Sequence, residues 1–158
     1  MKTVLSKEDP LVTDLVGSKT TKLDSREHFL GACDELQAHL MSVKLVVKEK
    51  EDIEWLAQKM SVAMGEVAGG KGHILEEDVM HLWDLIHSIE ENNGIITTFI
   101  LPGQTEAGAR INIARTVARR CELEYAKVYK EYGTSKILFQ FLNKISTYLY
   151  DLVVRYDK

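Results

Sequence analysis

Proline is scarce in this chain of 158 residues. There are two, at positions 10 and 102, so nearly everything between them is free to be helical. No apolar run approaches the ~18 residues of a membrane span, and the opening "MKTVLSKEDP" lacks the apolar core and small-residue cleavage site of a signal peptide. Basic excess is also missing. The net charge is −4, so the chain as a whole offers no footprint for nucleic acid, and any anion must be met by a local cluster. Cysteine is limited to Cys33 and Cys121, far apart and in no metal-type spacing, which makes a reducing cytoplasm the simplest expected compartment. Glycine does not occur before Gly17, so the N-terminal stretch cannot form a glycine-rich phosphate cradle.

What is present is helical rhythm. Five stretches repeat their apolar residues every three or four positions. The first runs from about Ser25 to Lys48, and the second opens at Asp52, read as its N-cap, and stops at Gly69–Gly70. The third starts near Leu75, repeats through Val79, Leu82, Trp83, Ile86 and Ile89, and meets "NNG". After an extended piece, "IITTFILPG", the fourth runs from near Thr105 to about Glu131, where Gly133 ends it; Ser135 caps the fifth. Short connections place sequential helices antiparallel. The expectation is an all-α, up-and-down, five-helix bundle forming a single domain over residues 21–158. The first 20 residues show no period and are expected to be irregular.

The fourth helix holds the unusual chemistry. "ARTVARR" at 114–120 puts Arg115, Arg119 and Arg120 within about a turn and a half, where exposed like charges repel by roughly 0.2–0.5 kcal/mol per pair. At about 100° per residue, Arg115 and Arg119 share one face with Glu122 between them, while Arg120 points elsewhere. Two explanations stand. Glu122 could pair with Arg119 on a solvated stripe, or the stripe, bordered by the small residues Ala114 and Ala118, could meet a carboxylate or phosphate.

The segment "TTFILPGQTEAGARINIARTVARRCELE" resembles the signature of the PduO-type ATP:cob(I)alamin adenosyltransferases, an F-x-L-P-G-G turn followed by A-R-T-x-x-R-R-x-E-R. Phe99 precedes Arg115 by sixteen residues, as in that pattern. "GSKTTKLDSREHFLGACDEL" is similar to the family's first block at Gly17, Lys22, Asp24, Arg26, Gly31, Asp34, Glu35 and Leu36. "FLNKISTYLYDLVVR" resembles its Y-L-N-R-L-S-D-Y-L-F segment through Leu142, Asn143 and Ser146. The resemblance covers roughly residues 17 to 156.

This resemblance implies a ferritin-like, cobalamin adenosyltransferase-like bundle that assembles as a homotrimer with sites between subunits. The implied activity is transfer of the 5′-deoxyadenosyl group of ATP to cob(I)alamin, with Mg2+ accompanying the nucleotide and triphosphate leaving. By the same analogy Arg119 meets triphosphate and Arg115 is locked by Asp34 of the first helix. Phe99 lies under the corrin ring, where it displaces the lower axial ligand. Lys19 and Lys22 approach phosphates, Glu122 orients Arg119 or contacts nucleotide, and Asn143 hydrogen-bonds nucleotide from the fifth helix. No membrane or nucleic-acid partner is implied.

The chain also departs from the pattern. The family's T-x-T-G-D-x-G-x-T phosphate loop corresponds to "SKEDPLVTDLVG", where Glu8 and Asp9 repel phosphate; Leu123 replaces an arginine, Gln104 a glycine and Asn112 a frequent histidine. These departures keep a second reading in play, a non-catalytic homologue that binds cobalamin or adenosylcobalamin. The five histidines show no i, i+4 pair, and no metal site is expected from them. Tyr125, Tyr129 and Tyr132 read as a packing seam with hydroxyls at its rim.

Overall fold

A computed structural model describes residues 9–94 and 99–158. A hairpin of β1 (Val12–Leu15) and β2 (Ser18–Thr21) leads into five helices: α1 (Ser25–Lys44), α2 (Lys50–Ala68), α3 (Glu76–Asn93), α4 (Glu106–Tyr132) and α5 (Lys136–Asp157). Their apolar stripes bury one continuous core, with Phe29, Leu36, Met60, Leu82, Ile111, Tyr125, Phe141 and Tyr148 fully enclosed. Each such side chain contributes about 1.5–3 kcal/mol relative to exposure. The all-α, five-helix expectation holds. No helix among the described residues is long and apolar enough to cross a membrane.

Three local expectations need correction. Residues 12–21 are not irregular. They pair antiparallel, Val12 opposite Thr21 and Leu15 opposite Ser18. Gly17, at φ 75°, makes the turn, and Val16 donates its N–H to the Ala68 carbonyl at 2.9 Å. That contact docks the hairpin tip on the end of α2, and Leu15 is buried beneath it. A four-residue strand is too short to announce itself by period. Second, α1 stops at Lys44 rather than Lys48, and third, α2 is capped at Glu49, leaving Asp52 inside its first turn. The turn is set by tertiary contacts: Tyr156 Oη donates to Glu49 Oε2 at 2.7 Å and accepts from the Lys48 N–H at 2.7 Å. Arg155 Nη1 lies 3.2 Å from Glu49 Oε1.

The other caps follow the sequence. Thr105 accepts from the Gly108 N–H at 2.9 Å, and Ser135 accepts from the Leu138 N–H at 3.2 Å. The start of α4 is also tied to the end of α5, because Asp157 accepts from the N–H groups of Gly103 at 2.7 Å and Thr105 at 3.1 Å. Gly108 makes that approach possible: a Cβ there would collide with the Asp157 carboxylate. Burial pushes the Asp157 carboxyl up, but these backbone donors and the Thr105 hydroxyl outweigh it and hold it below its ordinary value.

Candidate functional site

The α4 face is built from its heptad-like spacing. Ile111, Ala114, Ala118, Cys121 and Tyr125 turn into the core, which leaves Asn112, Arg115, Arg119 and Glu122 toward the outside. Arg119 is exposed and Arg115 half-buried. Arg115 Nε donates to Asn112 Oδ1 at 2.9 Å, and neither guanidinium has a carboxylate within ion-pair distance among the described residues. Their neighbour Arg120 behaves differently, closing on Glu35 of α1. Glu122 does not pair with Arg119. Its Oε2 accepts from Asn143 Nδ2 of α5 at 2.7 Å.

Within this chain Asp34 does not lock Arg115. Gln37, one turn along α1, donates to the Ala57 carbonyl of α2 at 2.7 Å, and that side of α1 also carries Asp34, in a shallow groove with Met41 and Glu54. The α1 acid on the α4 side is Glu35, and it takes Arg120 instead. A shift of one residue rotates a side chain by about 100° around the helix, which separates the two roles. Cys33 and Cys121 both lie buried where α1 meets α4; burial, and then the Cys121 side chain beside it, push the Cys33 thiol up.

The remaining predicted residues are spread along the bundle. Lys19 pairs with Asp14 across the hairpin at 3.2 Å, with both side chains well exposed. Lys22 is exposed at the foot of α1, where its carbonyl lies 3.1 Å from His28 Nε2. This end is stitched by Asp24: Arg26 Nη2 reaches its Oδ2 at 2.7 Å, Thr20 Oγ1 at 2.6 Å and Tyr132 Oη at 3.0 Å. The Arg26 guanidinium also stacks 4.3 Å from the Tyr132 ring centroid. Arg26, the strongest influence, outweighs burial, and with Thr20 and Tyr132 holds the Asp24 carboxyl far below its usual range. From Tyr132 back to Arg119 is thirteen residues of helix, about 20 Å at 1.5 Å per residue. So the chain's own hairpin lysines stand well away from its own Arg119.

Phe99 lies toward the opposite end, before the turn that Asp157 holds. Its side chain is 89% exposed. A core aromatic would be buried, so this ring is presented rather than packed. Of the neighbouring "IITTFILPG" stretch, residues 95–98 lie outside the described part, as do Ser6, Lys7 and Glu8 of the N-terminal stretch.

The structure thus brings two of the predicted residues into direct contact, Glu122 and Asn143. They border a groove of ≈ 750 Å³ walled by Met80 and Trp83 of α3, Tyr129 of α4 and Phe139 and Lys144 of α5. Tyr129 therefore faces a groove, while Tyr125 is wholly buried and donates to the Ser135 carbonyl at 2.7 Å. Glu122 and Asn143 were the sequence signals for this groove; its α3 wall had none. Among the described residues no group of three or more His, Cys, Asp or Glu side chains is placed to hold a metal ion.

An all-α bundle with open guanidinium groups on one helix and an exposed aromatic at its turn defines the class: a helical-bundle protein with an arginine stripe that meets no carboxylate among the described residues. The chain matches the cobalamin adenosyltransferase family over residues 5–156, and it belongs to that family. It is 27% identical over 146 residues to the corrinoid adenosyltransferase PduO of Citrobacter freundii, covering 86% of this chain and 44% of that protein. It is 26% identical over 149 residues to the corrinoid adenosyltransferase of Bacillus subtilis, covering 87% of this chain and 77% of that protein. The chain therefore spans less than half the length of the Citrobacter PduO relative. In fold it is similar to a variant PduO-type ATP:corrinoid adenosyltransferase from Lactobacillus reuteri complexed with cobalamin and ATP. There the TM-score is 0.85 at 20% identity, covering 96% of this chain and 91% of that one. A second variant of that enzyme, complexed with ATP, gives a TM-score of 0.86 at 21% identity, covering 96% and 92%.

Proposed function

We propose that this chain is a corrinoid adenosyltransferase that moves the 5′-deoxyadenosyl group of ATP to the cobalt of cob(I)alamin. The observation that carries the reading is the contrast on α4: Arg120 closes on Glu35, while Arg115 and Arg119 meet no carboxylate among the described residues. Charged groups held on a rigid helix without an internal partner are suited to an anionic substrate.

The reaction asks little covalent work of the protein. Co(I) attacks the 5′ carbon, the C5′–O bond breaks, and its electron pair leaves on triphosphate. Arg119 stabilises the charge that grows on the departing group, and no carboxylate among the described residues has to release it first. Mg2+ travels with the nucleotide. Glu122 and Asn143, already bonded to each other, offer a fixed polar pair for the nucleoside. Phe99 presents an apolar ring to the lower face of the corrin, displacing the axial ligand. Arg115 and Asp34 are both open within one chain, which supports a site completed across a subunit boundary in a homotrimer. The distance between Arg119 and the hairpin supports the same arrangement, with Lys19 and Lys22 of one subunit serving the Arg119 of another.

The test is an anaerobic incubation of the protein with cob(I)alamin and Mg-ATP, following adenosylcobalamin by its absorbance. Product formation is expected. Folded protein that makes none, yet shifts the cob(II)alamin spectrum without ATP, overturns the transferase and supports a cobalamin-binding homologue. The closed Lys19–Asp14 pair on a glycine-poor hairpin is the feature that favours this second reading.

A further inference from the structure

The groove beside Glu122 and Asn143 has an arrangement that the reaction chemistry above does not use. Trp83 stands half-exposed on the α3 wall, and the Lys144 ammonium sits 4.1 Å from the centroid of its ring. Among the described residues Lys144 has no carboxylate within ion-pair distance, so its location is set by the indole face and not by an acid. Lys144 directly follows Asn143, whose amide group donates to Glu122. That bond occupies an Asn143 donor and leaves acceptor oxygens of both residues for a ligand. Met80 and Phe139 complete the apolar part of the wall. A flat apolar ring face, acceptors at its border and a cation over it that no carboxylate among the described residues holds match a planar base that bears an amino group and is joined to phosphate.

We propose that Trp83 and Lys144 are specificity-determining residues of the nucleotide site: Trp83 stacks the adenine base, and Lys144 leaves the indole to meet phosphate when the nucleotide enters. The inference rests on reading Glu122 and Asn143 as nucleotide contacts. It assigns the base to the α3 wall of the groove and makes the cation–π contact the resting state that the nucleotide displaces. Exchange of a cation for a base on the same indole face keeps that face covered, which is why the two residues act together.

Trp55 is the only other tryptophan, half-buried against Phe141 and His81, so a Trp55→Phe background makes emission report Trp83. In that background adenosine and ATP are expected to quench the emission, whereas tripolyphosphate alone leaves the indole stacked under lysine and changes it little. Purine riboside, which lacks the 6-amino group, binds more weakly than adenosine. In calorimetric titrations of the otherwise native chain, Trp83→Leu weakens ATP and adenosine by about tenfold or more. Lys144→Met weakens ATP by about tenfold but leaves adenosine unchanged or tighter. Affinities of the folded Trp83→Leu protein within twofold of native overturn the proposal, as does tripolyphosphate quenching as strongly as adenosine. Binding and transfer are read separately. Adenosyl transfer with an unaltered KM for ATP in Trp83→Leu sinks this assignment and leaves the transferase intact; adenosine quenching in the Trp55→Phe background, when the native protein transfers nothing, does the reverse.

Discussion

Two charged regions of this molecule use the same residue types in opposite ways. At the hairpin end, Asp24, Arg26, Thr20 and Tyr132 close on one another within a few ångströms. In the middle of α4, Arg115 and Arg119 face outward, and among the described residues the Asn112 amide oxygen, which accepts from Arg115, is their one side-chain partner. The first cluster joins β2, α1 and the end of α4, so its charges are used up in holding the fold. The second contributes nothing comparable to the fold, and its charges stay available. Arg119 and Arg120 show the contrast at the scale of one residue: the helix turns Arg120 toward Glu35 and leaves its predecessor open. Internal satisfaction marks structural charge, and the unspent guanidinium groups on α4 are the basis of the proposed site.

Removing an open charge and a closed one should separate activity from stability. The largest effect is expected from Arg119→Ala, which lowers adenosyl transfer by about 10²–10³-fold, as for loss of one preorganised transition-state donor. Because the side chain is exposed, its unfolding free energy from urea denaturation should change by less than about 0.5 kcal/mol. If stability falls and transfer survives, the contrast between the two regions is wrong.

Asp24→Asn tests the closed cluster and should cost about 2–3 kcal/mol of stability, from lost charge-assisted hydrogen bonds. The pH dependence follows from the lowered carboxyl. Its stabilisation is complete above the unfolded value of about 3.9 and is lost as pH falls toward the lower folded value. Acid unfolding followed by circular dichroism should therefore lose part of its steepness below about pH 4 in the variant.

Asp151 sharpens the comparison with a third kind of carboxyl, buried and without a cation among the described residues. Burial first, and then the Glu90 carboxylate, raise it to about 7, and one of its oxygens has no partner. The folded state here keeps a proton that the unfolded chain releases near pH 3.9, so stability falls as pH climbs from about 4 to about 7. Asp151→Asn should remove that slope and stabilise the protein on the order of 2 kcal/mol at pH 8. Phe99→Ala, like Arg119→Ala, should change stability by less than about 0.5 kcal/mol, because the ring is already in water. The same variant should fail to displace the lower ligand of cob(II)alamin, read from its absorption spectrum.

The fold was legible because five apolar stripes repeat at the helical period, and because Thr105, Ser135 and Gly133 are local stop and start signals that tertiary contacts did not override. The hairpin was not. Its strands are short, and its place depends on a backbone bond from Val16 to Ala68, fifty-two residues away. The turn after α1 escaped for a related reason, since Glu49 meets Tyr156 only after the chain has crossed the bundle four more times. The site was half legible: Arg115, Arg119 and Glu122 share a face by spacing alone, but nothing local told Asn143 apart as the partner of Glu122.

The sequence by itself determined the number of helices, their order and the presence of an arginine stripe, because each of these depends on residues within a turn or two of one another. Tertiary structure decided which charges were spent. Whether Arg120 or Arg115 meets an acid from α1, and whether Lys144 rests on Trp83, depends on the rotation of packed helices. A side chain's direction changes by about 100° per residue, and packing sets the angle at which each helix presents it.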